Sequence, residues 1–174
     1  AIRDTYKKVE QQIQKTKLGF VDYLYELVQI EIQAKHEKHI SGLLKTAKLP
    51  RNKLLDDFDI SRIPKLHPGV IKNLSEGSFI DKAENILIFG NPGTGKTHLA
   101  ISLCREWCLQ GKKCIYISAA NLVQQLVEAK NSFKLNNVLQ RVDKFEVLVI
   151  DDISYIPYDK IEADLLFILL AQRY

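Results

Sequence analysis

The chain has 174 residues, 46% of them hydrophobic and 26% charged, with 8 Gly and 5 Pro, which excludes a collagenous or wholly disordered chain and leaves room for one substantial core with a small appendage. No apolar run reaches the roughly 18 residues that a membrane crossing needs, and AIRDTYKKVEQQ at the N-terminus lacks a signal peptide's apolar stretch, so a cytoplasmic location is expected. The net charge of +4 is unevenly spread: residues 1–66 hold 13 Lys/Arg against 9 Asp/Glu, and residues 67–174 hold 12 of each.

In chain order, residues 4–17 are polar with good helix formers and predict a short helix. From Gly19, the apolar residues Phe20, Val21, Leu24, Leu27, Val28 and Ile32 recur at helical spacing. The stripe lapses in QAKHEKH and resumes at Ile40, Leu43, Leu44 and Ala47 until Pro50 stops it, so either one long helix projects its middle into solvent or two helices meet there. Residues 33–53 carry Lys35, Lys38, Lys45, Lys48, Arg51 and Lys53 against the single acid Glu37. Such a cluster either attracts a polyanion or keeps a helix solvated. His36 and His39 are spaced for a metal on a helix face, but no third ligand is near, and they read as solvated.

Residues 50–69 hold three of the five prolines and read as a connector lying over the domain that follows, which sets the expected division at 1–54 and 55–174. Beyond it, apolar strands alternate with helices: a strand at 85–89 (NILIF), a helix at 96–110, a strand at 113–118, helices near 121–129 and 135–142, a strand at 147–150 and a helix at 160–173. That alternation predicts an α/β fold with a parallel sheet and crossover helices. Cys104, Cys108 and Cys114 read as reduced core thiols rather than disulfides or a metal cluster, and Trp107 as a core or interface residue.

Directly after the NILIF run stands Gly90-Asn91-Pro92-Gly93-Thr94-Gly95-Lys96-Thr97, a full match to G-x-x-x-x-G-K-[ST]. Its glycines let the main chain curl so that successive N–H groups converge on phosphate oxygens, and the following helix N-terminus adds its positive dipole end. Lys96 is placed to reach the β- and γ-phosphates of a nucleotide, and the Thr97 hydroxyl suits Mg²⁺. His98 either touches the nucleotide or packs within the helix.

Val147-Leu148-Val149-Ile150-Asp151-Asp152 is an apolar run ending in two carboxylates. A buried strand gains nothing from unpaired acids at its end, so the pair points to a cation site, the Walker B pattern. Asp151 is the expected Mg²⁺ anchor, acting through the ion's water shell, and Asp152 the expected group that orients the attacking water.

GNPGTGKTHLA at 90–100, VLVIDDISYIPYDKIEADLLFILLAQRY at 147–174 and LDDFD at 55–59 together resemble the IstB family. These are AAA+ ATPases that assist transposases of bacterial insertion sequences and are related to DnaC-type helicase loaders. Tyr155-Ile156-Pro157 and Ala163 to Leu166 narrow the resemblance beyond a generic nucleotide loop. It implies an AAA+ type P-loop NTPase preceded by a small helical domain. It also implies ATP and Mg²⁺ as ligands, homo-oligomerisation with ATP, duplex DNA binding through the basic helices, and hand-over to a transposase of the IstA kind. Phe58, in the connector, would line the adenine pocket by the same resemblance, or else pins the connector to the core.

The chain also departs from that family. Many members carry Glu where Asp152 stands, and the shorter side chain implies slow hydrolysis that Asp152→Glu would raise. AAA+ folds normally insert a further strand, after Walker B, between the P-loop strand and the Walker B strand. The chain ends at Tyr174 before any such strand, arginine finger or lid, so a fragment without ATPase competence of its own is expected, with two sheet edges lacking ladder partners. A replicative-helicase loader is the nearest alternative, kept open by Tyr6, Tyr23 and Tyr25. A small-molecule phosphotransferase and a module holding ATP as a structural ligand stand further off.

Overall fold

The computed structural model describes residues 2–16, 19–50, 53–60, 67–153 and 159–173. The first helix, α1 (Ile2–Thr16), is too short and polar to persist alone in water, where helices of its length are marginal. It is sustained by packing: Val9 is buried with Leu27 of the second helix, and Ile2, Tyr23 and Ile30 surround that pair. The Ile2 N–H also donates to Glu31 Oε2 at 3.2 Å.

The second helix, α2 (Phe20–Ala47), is one continuous element of 28 residues, which resolves the choice left open by the lapsed stripe. Its polar middle holds because Gln, Ala, Lys and Glu are good helix formers. Side chains one turn apart also meet there, with Gln33 Nε2 donating to Glu37 Oε1 at 3.1 Å and Lys35 lying 3.9 Å from Glu31. The helix stops where Lys48 turns left-handed at φ +57°, two residues before Pro50. Contacts divide the chain into two compact units, residues 1–42 and 43–174.

In the second unit a connector leads to two helices, α3 (Pro68–Glu76) and α4 (Ser78–Asp81). The sequence reading carried the connector to residue 69 and assigned no element to 70–84; the start of α3 at Pro68 corrects it. The local signals are a proline at the first helical position and His67 as N-cap, whose Nδ1 accepts the Gly69 N–H at 3.1 Å, with Gly77 at φ +72° closing the helix. What holds this pair is Trp107 on α5 (Lys96–Leu109): its Nε1 donates to the Leu74 carbonyl at 2.8 Å, and its ring meets Phe79 edge-on at 5.1 Å.

The sheet pairs β1 (Cys114–Ser118) with β2 (Val147–Asp151) in parallel, register Cys114↔Val147 through Ser118↔Asp151. Between them run α6 (Ala119–Asn131) and α7 (Leu135–Asp143), and α8 (Lys160–Arg173) follows. Because side chains alternate along a strand, the two faces have different partners. Ile117, Leu148 and Ile150 pack on a core built by Leu122, Val123 and Leu126 of α6, Leu139 and Val142 of α7, and Leu165, Leu166 and Leu169 of α8. The opposite face carries Cys114, Tyr116 and Asp151, and there Cys114 meets Cys104 and Cys108 of α5. The helix that begins at the glycine-rich loop therefore covers the face on which Asp151 stands.

One expected strand is absent. Residues 84–91 have no regular structure, and Leu87 and Phe89 are 77% and 85% exposed. An apolar run becomes a strand only where a neighbour supplies ladder hydrogen bonds, and neither β1 nor β2 pairs with 85–89. The observed sheet is thus parallel, as expected, but two-stranded among the described residues. No helix among those residues is long and apolar enough to cross a membrane.

Candidate nucleotide site

The loop at 90–97 owes its course to its glycines. Gly93 and Gly95 take φ +78° and +90°, values that a side chain would strain. A Cβ on Gly90 would lie 3.0 Å from Thr94 Oγ1, and one on Gly95 would lie 3.0 Å from Phe58 Cε2. At Gly93, by contrast, nothing lies within 4 Å of that position, so the loop is open on that side. The Thr94 hydroxyl donates to the Asn91 carbonyl at 2.9 Å and closes the turn over Pro92 and Gly93.

Gly95 is the N-cap of α5 and offers no side-chain acceptor, so the helix's first N–H groups are not consumed by a cap side chain. Lys96 folds over the loop, its Nζ donating to the carbonyls of Gly90 at 2.8 Å and Asn91 at 2.9 Å. That places the ammonium against the carbonyls at the start of the loop. Thr97 follows in the first turn of α5 and is half-buried.

The connector reaches this same turn. His98 Nε2 lies 2.8 Å from the Leu54 carbonyl, and the Phe58 ring meets the His98 imidazole edge-on at 5.6 Å while resting on Gly95. His98 is therefore a bracket for the connector rather than a core residue of the helix. Phe58 in this structure pins the connector to the base of the loop.

At the end of β2, Asp151 accepts two hydrogen bonds, one on each carboxylate oxygen. The Tyr116 hydroxyl donates to Oδ2 at 2.6 Å and the Asp152 N–H to Oδ1 at 3.0 Å. A carboxylate has about four acceptor positions, so both oxygens retain capacity toward a hydrated cation. Burial, and then the bond to Asp151, push the Tyr116 hydroxyl above its usual pKa. Asp152 is exposed and sits at φ +57°, a left-handed position that Asp tolerates better than most residues. The donor set is all hard oxygen (a threonine hydroxyl and carboxylates), which matches the preference of Mg²⁺.

Spacing alone found the loop and the acidic pair. Tyr116 and the Leu54 carbonyl were missed. Tyr116 is recognisable only when the register puts Ser118 opposite Asp151, which sets Tyr116 on the carboxylate's face. Of the basic set, Lys35, Lys38, Lys45 and Lys48 are exposed and Lys53 is half-buried; Arg51 and Tyr155-Ile156-Pro157 lie outside the described residues. His36 and His39 are exposed.

The family pattern described as IstB-like ATP binding protein matches residues 1–174. A Geobacillus stearothermophilus protein named for ATP binding in insertion sequence IS5376 is 40% identical over 157 residues, 90% of this chain and 62% of the relative. A Pseudomonas aeruginosa protein similarly named in IS21 is 34% identical over 164 residues, 94% of this chain and 62% of the relative. One from Bacillus thuringiensis subsp. berliner, named in IS232, is 32% identical over 158 residues, 91% of this chain and 63% of the relative. The chain thus spans somewhat under two thirds of the length of these relatives.

Proposed function

Because the chain belongs to the IstB-like ATP-binding protein family, we propose that it supplies the ATP site of a helper for DNA transposition. The observation that carries this reading is the joint geometry of the site. The loop curls about the Lys96 ammonium, and Asp151 stands on the sheet face covered by the helix that the loop begins. In this reading residues 55–174 are a domain of the AAA+ type, preceded by a helical domain and linker at 1–54.

ATP is the substrate. Lys96 exchanges its two carbonyl acceptors for β- and γ-phosphate oxygens, which are stronger because they are charged. Thr97 and Asp151 would hold Mg²⁺, whose role is to neutralise charge on the phosphates. Tyr116 keeps the Asp151 carboxylate in one orientation. Asp152 orients a water toward the γ-phosphorus; the new P–O bond forms as the β–γ bridge breaks, and ADP and phosphate leave. The left-handed backbone at Asp152 fixes the direction in which its short side chain projects.

For the partner, the exposed lysines Lys35, Lys38, Lys45 and Lys48, together with Lys53 and Arg51, are the proposed duplex-DNA contacts. Sequence-independent affinity arises when such cations release counterions from the phosphate backbone. ATP binding favours homo-oligomer assembly on DNA, and hydrolysis releases it toward the transposase. The test is the affinity for random duplex across a salt series, with phosphate release recorded alongside. A line falling by about 0.9 log units per log unit of salt for each phosphate contact supports the reading. A flat line removes DNA from it, and preferential retention of a replicative helicase over the transposase in a pull-down moves the protein to helicase loading.

A further inference from the structure

The three cysteines were expected to be reduced core thiols, and they are free and buried. That all three converge is not legible from their spacing. Cys104 and Cys108 stand one turn apart on α5, Cys114 opens β1 across from them, and all three sulfurs lie within 4.8 Å of one another. Their exposures are 0%, 0% and 1%. The Cys114 thiol also reaches the Lys112 carbonyl at 3.6 Å, a weak contact. Among the described residues no His, Asp or Glu joins them as a fourth ligand.

We infer that this cluster is a three-sulfur binding site for a trivalent, thiophilic metalloid of the arsenite class. Two properties select that ligand. Softness comes first: a set made of thiols alone discriminates against hard, oxygen-seeking cations. Charge comes second. Zinc prefers four ligands and copper(I) on three thiolates leaves a net charge of −2, which a dry interior penalises heavily. A trivalent centre on three thiolates is neutral and carries no such cost. The reaction balances without an oxidant. Three S–As bonds form, three As–O bonds break, each thiol proton departs with a hydroxide as water, and arsenic keeps its oxidation state. Once filled, the site ties the helix of the nucleotide loop to the sheet through three bonds.

The experiment titrates the reduced full chain with sodium arsenite under nitrogen, without nucleotide, and reads native mass and thermal midpoint. One arsenic per chain with loss of three hydrogens, a raised midpoint, and disappearance of that species in Cys114→Ala are expected. X-ray absorption on the wild-type complex, which needs no variant, is expected to find three sulfur neighbours per arsenic and no oxygen. Loss of only two hydrogens, an oxygen in the shell, adduct formation confined to the unfolded chain, or equal affinity for Zn²⁺ overturns the inference.

Discussion

Gly95 works under two constraints at once, its backbone at φ +90° and the Phe58 ring at the place where a Cβ would be. Gly93 carries only the first. Gly93→Ala is therefore expected to cost about 1–2 kcal/mol of stability, and Gly95→Ala more. Phe58→Ala should recover part of the difference in a double-mutant cycle read by urea unfolding. Additive losses would mean that the ring does not press on the loop. Tyr116 makes a second prediction at this scale. Its folded pKa is raised by burial and by Asp151, so the folded state holds the phenolic proton more tightly than the unfolded chain. Its contribution is fully present below the unfolded value of about 10 and is lost as pH climbs from there toward the folded value. Tyr116→Phe should flatten the fall of stability above pH about 10, seen by chemical denaturation at stepped pH. An unchanged profile would mean that other groups set it. The loop and Asp151 were legible because motif chemistry fixes spacing. Tyr116 and Phe58 were not, since both act across distances that only the register and the path of the connector define.

At the level of elements, helices with strong local signals formed as read, whereas the strand expected at 85–89 did not form. A helix satisfies its own backbone. The NILIF run needs a neighbour, and its apolar pattern carries no information about whether one is present. Helix α3 was hidden for the opposite reason: its sequence is short, and what sustains it is the hydrogen bond that Trp107 donates to Leu74 from 33 positions away. Helix α8 shows how an end is fixed. Asp159 Oδ1 accepts the Glu162 N–H at 2.8 Å while Glu162 Oε2 accepts the Asp159 N–H at 3.1 Å, a reciprocal capping box. At its other end Arg173 donates to the carbonyls of Val142 and Phe145, both at 2.9 Å, and so closes the C-terminus of α7. Asp159→Ala is expected to lower stability by about 1 kcal/mol. Thermal unfolding followed by circular dichroism checks it, and no change would mean that packing of Leu165, Leu166 and Leu169 alone sets where α8 begins.

Across the whole molecule, the basic set divides between the two compact units: Lys35 and Lys38 belong to the first, while Lys45, Lys48 and Lys53 belong to the second, with the nucleotide loop. In the proposed account the basic side chains meet DNA and the loop meets ATP, and each can be disabled without the other. Reversing Lys35 and Lys38 to Glu should shallow the salt dependence of DNA affinity by about two contacts and leave nucleotide affinity unchanged. The claim on which the rest depends is that loop and carboxylate grip one magnesium nucleotide together. It is tested most directly by titrating ATP into the wild type, Lys96→Ala and Asp151→Asn, each with Mg²⁺ and with a chelator. The account predicts that Lys96→Ala weakens binding about tenfold or more in both conditions, and that Asp151→Asn removes the gain due to Mg²⁺. Wild-type affinity in both variants, with and without the metal, would contradict it.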